Sequence, residues 1–187
     1  VRLCLQPEPA AIRMPWPSVT VGRVPSPEDA VPVDLDGDGA FDVVSCCEGK
    51  TRSIFAHWGP PDPSRQLDPA AWRTEPIPAA AGRQQWMFCV PLQVDGRHGP
   101  DLVAGGKGAG AEIGWLEAPA DPRDLPAWRW HPLAPVAWTM SLVPHDIDQD
   151  GDADILFSER RGAEPGCRWL ENPGPGPNQS MPWPMHQ

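Results

Sequence analysis

The sequence predicts an all-β fold of repeated four-stranded antiparallel sheets, and three observations carry that prediction. An acidic nine-residue motif occurs twice, each copy running directly into an apolar stretch of strand formers. A unit of roughly 50–60 residues containing four short apolar runs recurs along the chain. The 27 prolines and 18 glycines punctuate those runs, while ten tryptophans supply bulk for packing. That composition suits many short strands joined by tight turns better than it suits disorder.

The acidic motif is Asp34-Leu35-Asp36-Gly37-Asp38-Gly39-Ala40-Phe41-Asp42, repeated as Asp146-Ile147-Asp148-Gln149-Asp150-Gly151-Asp152-Ala153-Asp154. Carboxylates this dense repel one another unless a cation lies between them. Oxygen ligands at positions 1, 3, 5 and 9, with the carbonyl of position 7, suit a hard ion of flexible geometry; that is Ca²⁺ rather than Mg²⁺. Gly39 and Gly151 stand at position 6, where a sharp turn needs a positive φ. A helical calcium loop would close with Glu at position 12, but Ser45 and Phe157 stand there. Val43-Val44 and Ile155-Leu156-Phe157 are strand formers, so each loop feeds a strand.

Between the two lies a third copy, Gln93-Val94-Asp95-Gly96-Arg97-His98-Gly99-Pro100-Asp101, which aligns on the first without gaps. It keeps Asp95 and Asp101 but replaces two acids by Gln93 and Arg97. A guanidinium at Arg97 is expected to bridge the remaining carboxylates in place of an ion. Trp115-Leu116-Glu117 matches Trp169-Leu170-Glu171, and Trp16, Trp72, Trp128 and Trp183 mark the start of successive units. In the third unit the apolar runs are 128–133, 137–143, 154–157 and 167–170. Four short strands per repeat is the signature of a propeller blade. The expected division is an N-terminal edge segment over 1–14, blades over 15–63, 70–122 and 127–175, and the start of a further blade over 181–187. Three blades cannot close a ring of about four to eight, so the chain reads as an incomplete arc, with missing blades as its first partners.

The motif Asp-x-Asp-Gly-Asp-Gly-x-x-Asp-Val-Val at blade spacing, followed by Trp-Leu-Glu-Asn-Pro-Gly, resembles the FG-GAP/VCBS-type repeats of integrin-α-like propellers and of many bacterial secreted proteins. That resemblance implies calcium at two sites. The ligands would be Asp34, Asp36, Asp38, Asp42 and the Ala40 carbonyl, then Asp146, Asp148, Asp150, Asp154 and the Asp152 carbonyl. It also implies an extracellular, cell-surface or periplasmic location.

The strand turns away from the acidic loops bring Glu28, Asp29, Arg83, Trp86 and Trp138 to one face. Glu48, Lys107 and Arg160 occupy corresponding repeat positions there, flanked by Glu159 and Arg161. This set is either a recognition surface for a protein or glycan or a solvated rim. Most tryptophans recur by repeat position and read as packing between blades. The net charge of −10, with 15 Lys and Arg scattered, excludes a nucleic-acid groove. No apolar run approaches a membrane span. Five cysteines lack metal-site spacing, and no catalytic motif occurs among the five histidines. A non-catalytic calcium-binding module is therefore expected; the alternative is the propeller part of a polysaccharide lyase or hydrolase.

Overall fold

The computed structural model describes residues 1–187. Strand β1 (Arg2–Cys4) pairs with β2 (Ser18–Thr20) in a two-stranded sheet. Three four-stranded antiparallel sheets follow. The first is β3 (Pro27–Val33), β4 (Asp42–Cys47), β5 (Ser53–Trp58) and β6 (Arg73–Pro76). The second is β7 (Gln85–Leu92), β8 (Asp101–Lys107), β9 (Glu112–Glu117) and β10 (Arg129–Pro135). The third is β11 (Thr139–His145), β12 (Asp154–Glu159), β13 (Gly166–Leu170) and β14 (Met185–His186). Each runs as a meander in chain order, and none closes into a barrel. The all-β expectation holds.

Proline explains which strands lie where. None of β4, β5, β8, β9, β12 and β13, the inner strands, contains one. The edge strands β3, β6, β7, β10 and β11 all do, since an edge residue needs no ladder donor on its open side.

The sheets are offset by one strand from the sequence units 15–63, 70–122 and 127–175. The run 128–133, expected to open the third unit, is β10 and pairs with β9 through Trp130↔Leu116 and His131↔Trp115. Residues 136–138 then step to the next sheet rather than turning a hairpin, with Val136 N–H bonded to Ala111 O at 2.8 Å and Gly108 N–H to Ala137 O at 2.9 Å. Segment 181–187, read as the start of a further unit, supplies the last strand of the third sheet instead. Segment 1–14 supplies β1.

The sheets are held together face to face by buried side chains. Val44, Ile54, Ala56 and Trp58 of the first interleave with Trp86, Leu102, Ala104 and Leu116 of the second. Val103, Ile113, Trp115 and Leu133 of the second meet Leu142, Ile155, Phe157 and Leu170 of the third. Burying each valine, leucine, isoleucine or phenylalanine among them contributes about 1.5–3 kcal/mol. On the far side of the first sheet, Val19 of β2 and Val21 just after it cover Val43 and Trp72. The far side of the third sheet leaves Val143 46% and Leu156 37% exposed.

Candidate functional site

The loops between β3 and β4 and between β11 and β12 hold their carboxylates together by bonds to their own backbone. Asp34 accepts from Gly37 N–H at 2.8 Å and Gly39 N–H at 3.0 Å, Asp36 from Asp38 N–H at 3.2 Å, and Asp38 from Ala40 N–H at 2.8 Å. Asp146, Asp148 and Asp150 repeat this with Gly151, Asp150 and Asp152 N–H. Gly39 at φ 86° and Gly151 at φ 103° make the predicted turn. One carboxylate oxygen each from Asp34, Asp36 and Asp38 lies within 4.8 Å of the others, and so do those of Asp146, Asp148 and Asp154.

Position 9 has a second task that the sequence did not disclose. Both Asp42 oxygens are engaged, Oδ2 by Leu35 N–H at 3.0 Å and Oδ1 by Gly59 N–H at 2.7 Å. Asp154 does the same for Ile147 and Asn172 at 2.9 and 2.8 Å. Asp101, in the middle loop, does so for Val94 and Ala118 at 2.9 and 2.8 Å. Each bolts its loop to the end of the third strand of its sheet. Burial pushes the Asp42 and Asp101 carboxyls up to about 6.

The third loop fits a divalent cation best. Asp146 Oδ1 and Asp152 Oδ1 are buried and without any hydrogen-bond partner, which costs free energy unless a cation is near. Desolvation raises the Asp152 carboxyl to about 6, reinforced by Asp150, Asp154, Asp148 and Asp146. Asp148 is raised for the same first reason, with Asp150, Asp154 and Glu171 adding to it. The motif assigns only the Asp152 carbonyl to an ion, whereas its side chain adds a further carboxyl whose titration the neighbouring acids raise. A fifth Asp where the first loop has Ala40 was the available signal. In the first loop Arg123, from the linker after β9, donates from Nε to Asp36 Oδ2 at 2.6 Å and lies over the Trp58 ring at 4.6 Å.

The middle loop meets the expectation for Arg97 only in part. Its Nε makes a long ion pair with Asp95 at 3.9 Å, beyond hydrogen-bond length and without bridging to Asp101, and its side chain is 71% exposed. Gln93 fills the loop instead. Its Nε2 donates to the carbonyls of Arg97 and Gly99, both at 2.6 Å, while its Oε1 accepts from Gly96 N–H at 2.9 Å. Gly99 is position 7, the carbonyl expected to ligate calcium in the sister loops. An amide N–H₂ group thus takes that acceptor where the outer loops would use a cation.

At the opposite ends of the strands, the rim residues divide. Glu28, Glu48 and Lys107 meet: Lys107 ion-pairs with Glu48, whose carboxyl is held low by that bond. The Glu28 carboxyl is raised, first by desolvation and then by Glu48. Lys107, Arg160 and Arg161 surround the Trp138 ring. Four members of the expected face are committed elsewhere. Trp86 is fully buried and donates to Ala80 O at 3.0 Å. Glu159 is buried against Arg168 and Ala137 N–H. Asp29 accepts from Cys89 N–H at 3.3 Å, and Arg83 donates to Ala79 O at 2.7 Å.

One hydrogen-bonded chain has the form of an activated nucleophile: Ser45 Oγ to His57 Nε2 at 2.8 Å, and His57 Nδ1 to Thr74 Oγ1 at 2.8 Å. Ser45 and His57 are fully buried, and Gly22 packs so closely on the ring that a Cβ there would stand 2.2 Å from Nδ1. Burial lowers the His57 pKa to about 4. Buried in this way, the serine is closed to substrate, and the bonded side chains peg residues 21–22, just after β2, to the first sheet. The cysteines are all unpaired thiols, and no helix is long and apolar enough to cross a membrane.

Comparison with protein-family models, curated proteins and solved structures finds no match to this chain.

Proposed function

We propose that the chain is a non-catalytic, calcium-stabilised arc of β-propeller blades of the FG-GAP/VCBS kind, exported from the cell, whose rim opposite the acidic loops takes a protein or glycan ligand. The observation that carries this reading is the pair of carboxylate clusters, Asp34/Asp36/Asp38 and Asp146/Asp148/Asp154, each with oxygens within 4.8 Å. They sit at equivalent positions on sheets of one pattern, and the third loop keeps two buried oxygens without a partner. Calcium would supply the positive charge that lets these carboxylates sit together. Stacking supports the arc. Val31 and Val44 pair in the first sheet, Val90 and Val103 in the second, Val143 and Leu156 in the third. The first two pairs are packed between sheets, and the third awaits a neighbour of the same kind.

Isothermal titration with Ca²⁺ is expected to give two sites. The melting temperature is expected to rise with calcium and fall with chelator, since an ion bound only to the native state adds ~2.7 kcal/mol at a hundredfold excess over Kd. A chain that binds no calcium and melts alike in chelator would end this reading.

A further inference from the structure

We propose that the cleft beside Trp138 binds a sugar acid, a pyranose carrying one carboxylate, and this rests on reading the rim as a ligand face. Trp138 sits where the second sheet hands over to the third: it bridges to Lys107, and its carbonyl accepts from Arg160 N–H at 3.0 Å. Lys107 Nζ and Arg161 Cζ each lie 4.8 Å from the ring centroid, and Arg160 Cζ lies 5.4 Å away. The negative face of the indole gathers these cations, but they repel one another. Lys107 is neutralised by Glu48. Neither Arg160 nor Arg161 has a carboxylate partner, so two free guanidiniums stand side by side on a chain of net charge −10.

Arg161 borders a cavity of about 470 Å³ that Gln85, Lys107, Ala109, Ala137 and Trp138 also line, within the size range of small-ligand pockets; Arg160 stands beside it over the Trp138 ring. The Trp138 indole also differs from the other tryptophans, for its N–H is buried without an acceptor. By contrast, the indoles of Trp58, Trp72, Trp86, Trp115, Trp128 and Trp183 all donate to a carbonyl or carboxylate. The site offers the Arg161 guanidinium fork for an oxyanion, with Arg160 close by, the Gln85 amide for hydroxyls, and alanine and indole carbon for a ring face. Chain-wide negative charge disfavours a dense polyanion by long-range repulsion. A single carboxylate on an otherwise neutral body matches both the local and the overall charge.

The test is a titration of ¹⁵N-labelled protein at constant ionic strength, watching the Trp138 indole N–H, with glucuronic acid, its methyl ester, sodium sulfate and penta-glutamate as separate arms. Glucuronate is expected to shift that resonance saturably, at least tenfold more tightly than the methyl ester. Arg161→Gln and Arg160→Gln, both at exposed positions, are each expected to weaken it about tenfold with the melting temperature unchanged. Trp138→Phe, followed at the Gly108 and Ala109 backbone amides that line the cavity because the reporter indole is gone, is expected to weaken binding while keeping an aromatic ring. Equal binding of the ester overturns the charge assignment but leaves a ligand face standing. Equal binding of sulfate, or tighter binding of penta-glutamate, overturns the sugar assignment. No shift with any of the four overturns the site and the ligand-face reading together.

Discussion

The first and middle loops share one backbone frame and differ in what fills it. In both, the position-9 aspartate takes two backbone N–H groups, from Leu35 and Gly59 in one and from Val94 and Ala118 in the other. Inside that frame the first loop gathers Asp34, Asp36 and Asp38, whereas the middle loop places the Gln93 amide against the Arg97 and Gly99 carbonyls. Two functions that a motif writes as one string therefore separate. Position 9 holds the loop on its sheet whatever the loop contains. Positions 1, 3 and 5 decide whether the interior calls for a cation.

The largest effect is expected at position 9 of the middle loop, where no metal argument intervenes. Asp101→Ala leaves two buried N–H groups without acceptors and is expected to cost about 3 kcal/mol, at 1–3 kcal/mol for each orphaned group. Denaturant melts with and without calcium should show the same loss; a loss that calcium repairs would mean the middle loop binds an ion after all. Asp101→Asn is milder and carries a pH signature. The folded carboxyl titrates near 6 against an ordinary value of 3.8, so the native state holds the proton more tightly than the unfolded chain. That stability is complete below about pH 4 and disappears as pH rises through 6. The cost of Asp101→Asn relative to the parent chain should therefore shrink between pH 4 and pH 7. A cost independent of pH would show that the two backbone bonds offset the burial.

Strand content and the acidic loops were legible because each is local: alternation, turn residues and carboxylate spacing all lie within a few positions, and the repeat follows from matching those local patterns along the chain. What a repeat conveys is period, not phase, and the strand 128–133 was placed with the wrong neighbours for that reason. Proline supplied the missing phase. Pro132 and Pro135 mark β10 as an edge, as Pro76 marks β6, while the inner strands avoid proline altogether. The Gln93 substitution was harder to read. A charged residue at Arg97 invites an electrostatic account, but a long side chain at an exposed position 5 faces water. The side chain at position 1 points inward, so its chemistry governs the interior. The pairing of Ser45 with His57, and of Arg123 with Asp36, spans strands or sheets and has no local signature.

A smaller change tests the exchange of amide for ion directly. Gln93→Ala removes three N–H···O bonds at a loop surface and is expected to cost about 1 kcal/mol without calcium. Gln93→Asp combined with Arg97→Asp restores carboxylates at positions 1 and 5 beside Asp95. The calcium stoichiometry by titration should rise by one site over the parent chain. An unchanged stoichiometry would place the block elsewhere in the loop, at Pro100 or His98, and not at Gln93.

The smallest effect concerns the two loops proposed to bind calcium, which are not equivalent. The third gathers Asp146, Asp148, Asp150, Asp152 and Asp154 with no Lys or Arg paired to any of them. The first has four carboxylates, and one of them, Asp36, is already held by Arg123 through Nε at 2.6 Å and a terminal nitrogen at 2.5 Å. That guanidinium neutralises an oxygen an ion would use, so the third loop should bind calcium more tightly. Arg123→Ala removes the competitor. At the water limit one unit charge near 4 Å is worth ~1 kcal/mol, and the first site should therefore tighten about fivefold while the third keeps its Kd. Without calcium the same variant loses an exposed ion pair and its stacking on Trp58, about 1 kcal/mol together and no more than ~2–4 °C in melting temperature. The two readouts move in opposite directions, which separates competition from support. If Arg123→Ala weakens the first site instead, the guanidinium orients Asp36 for the ion rather than competing with it, and the predicted order of the two loops loses its basis.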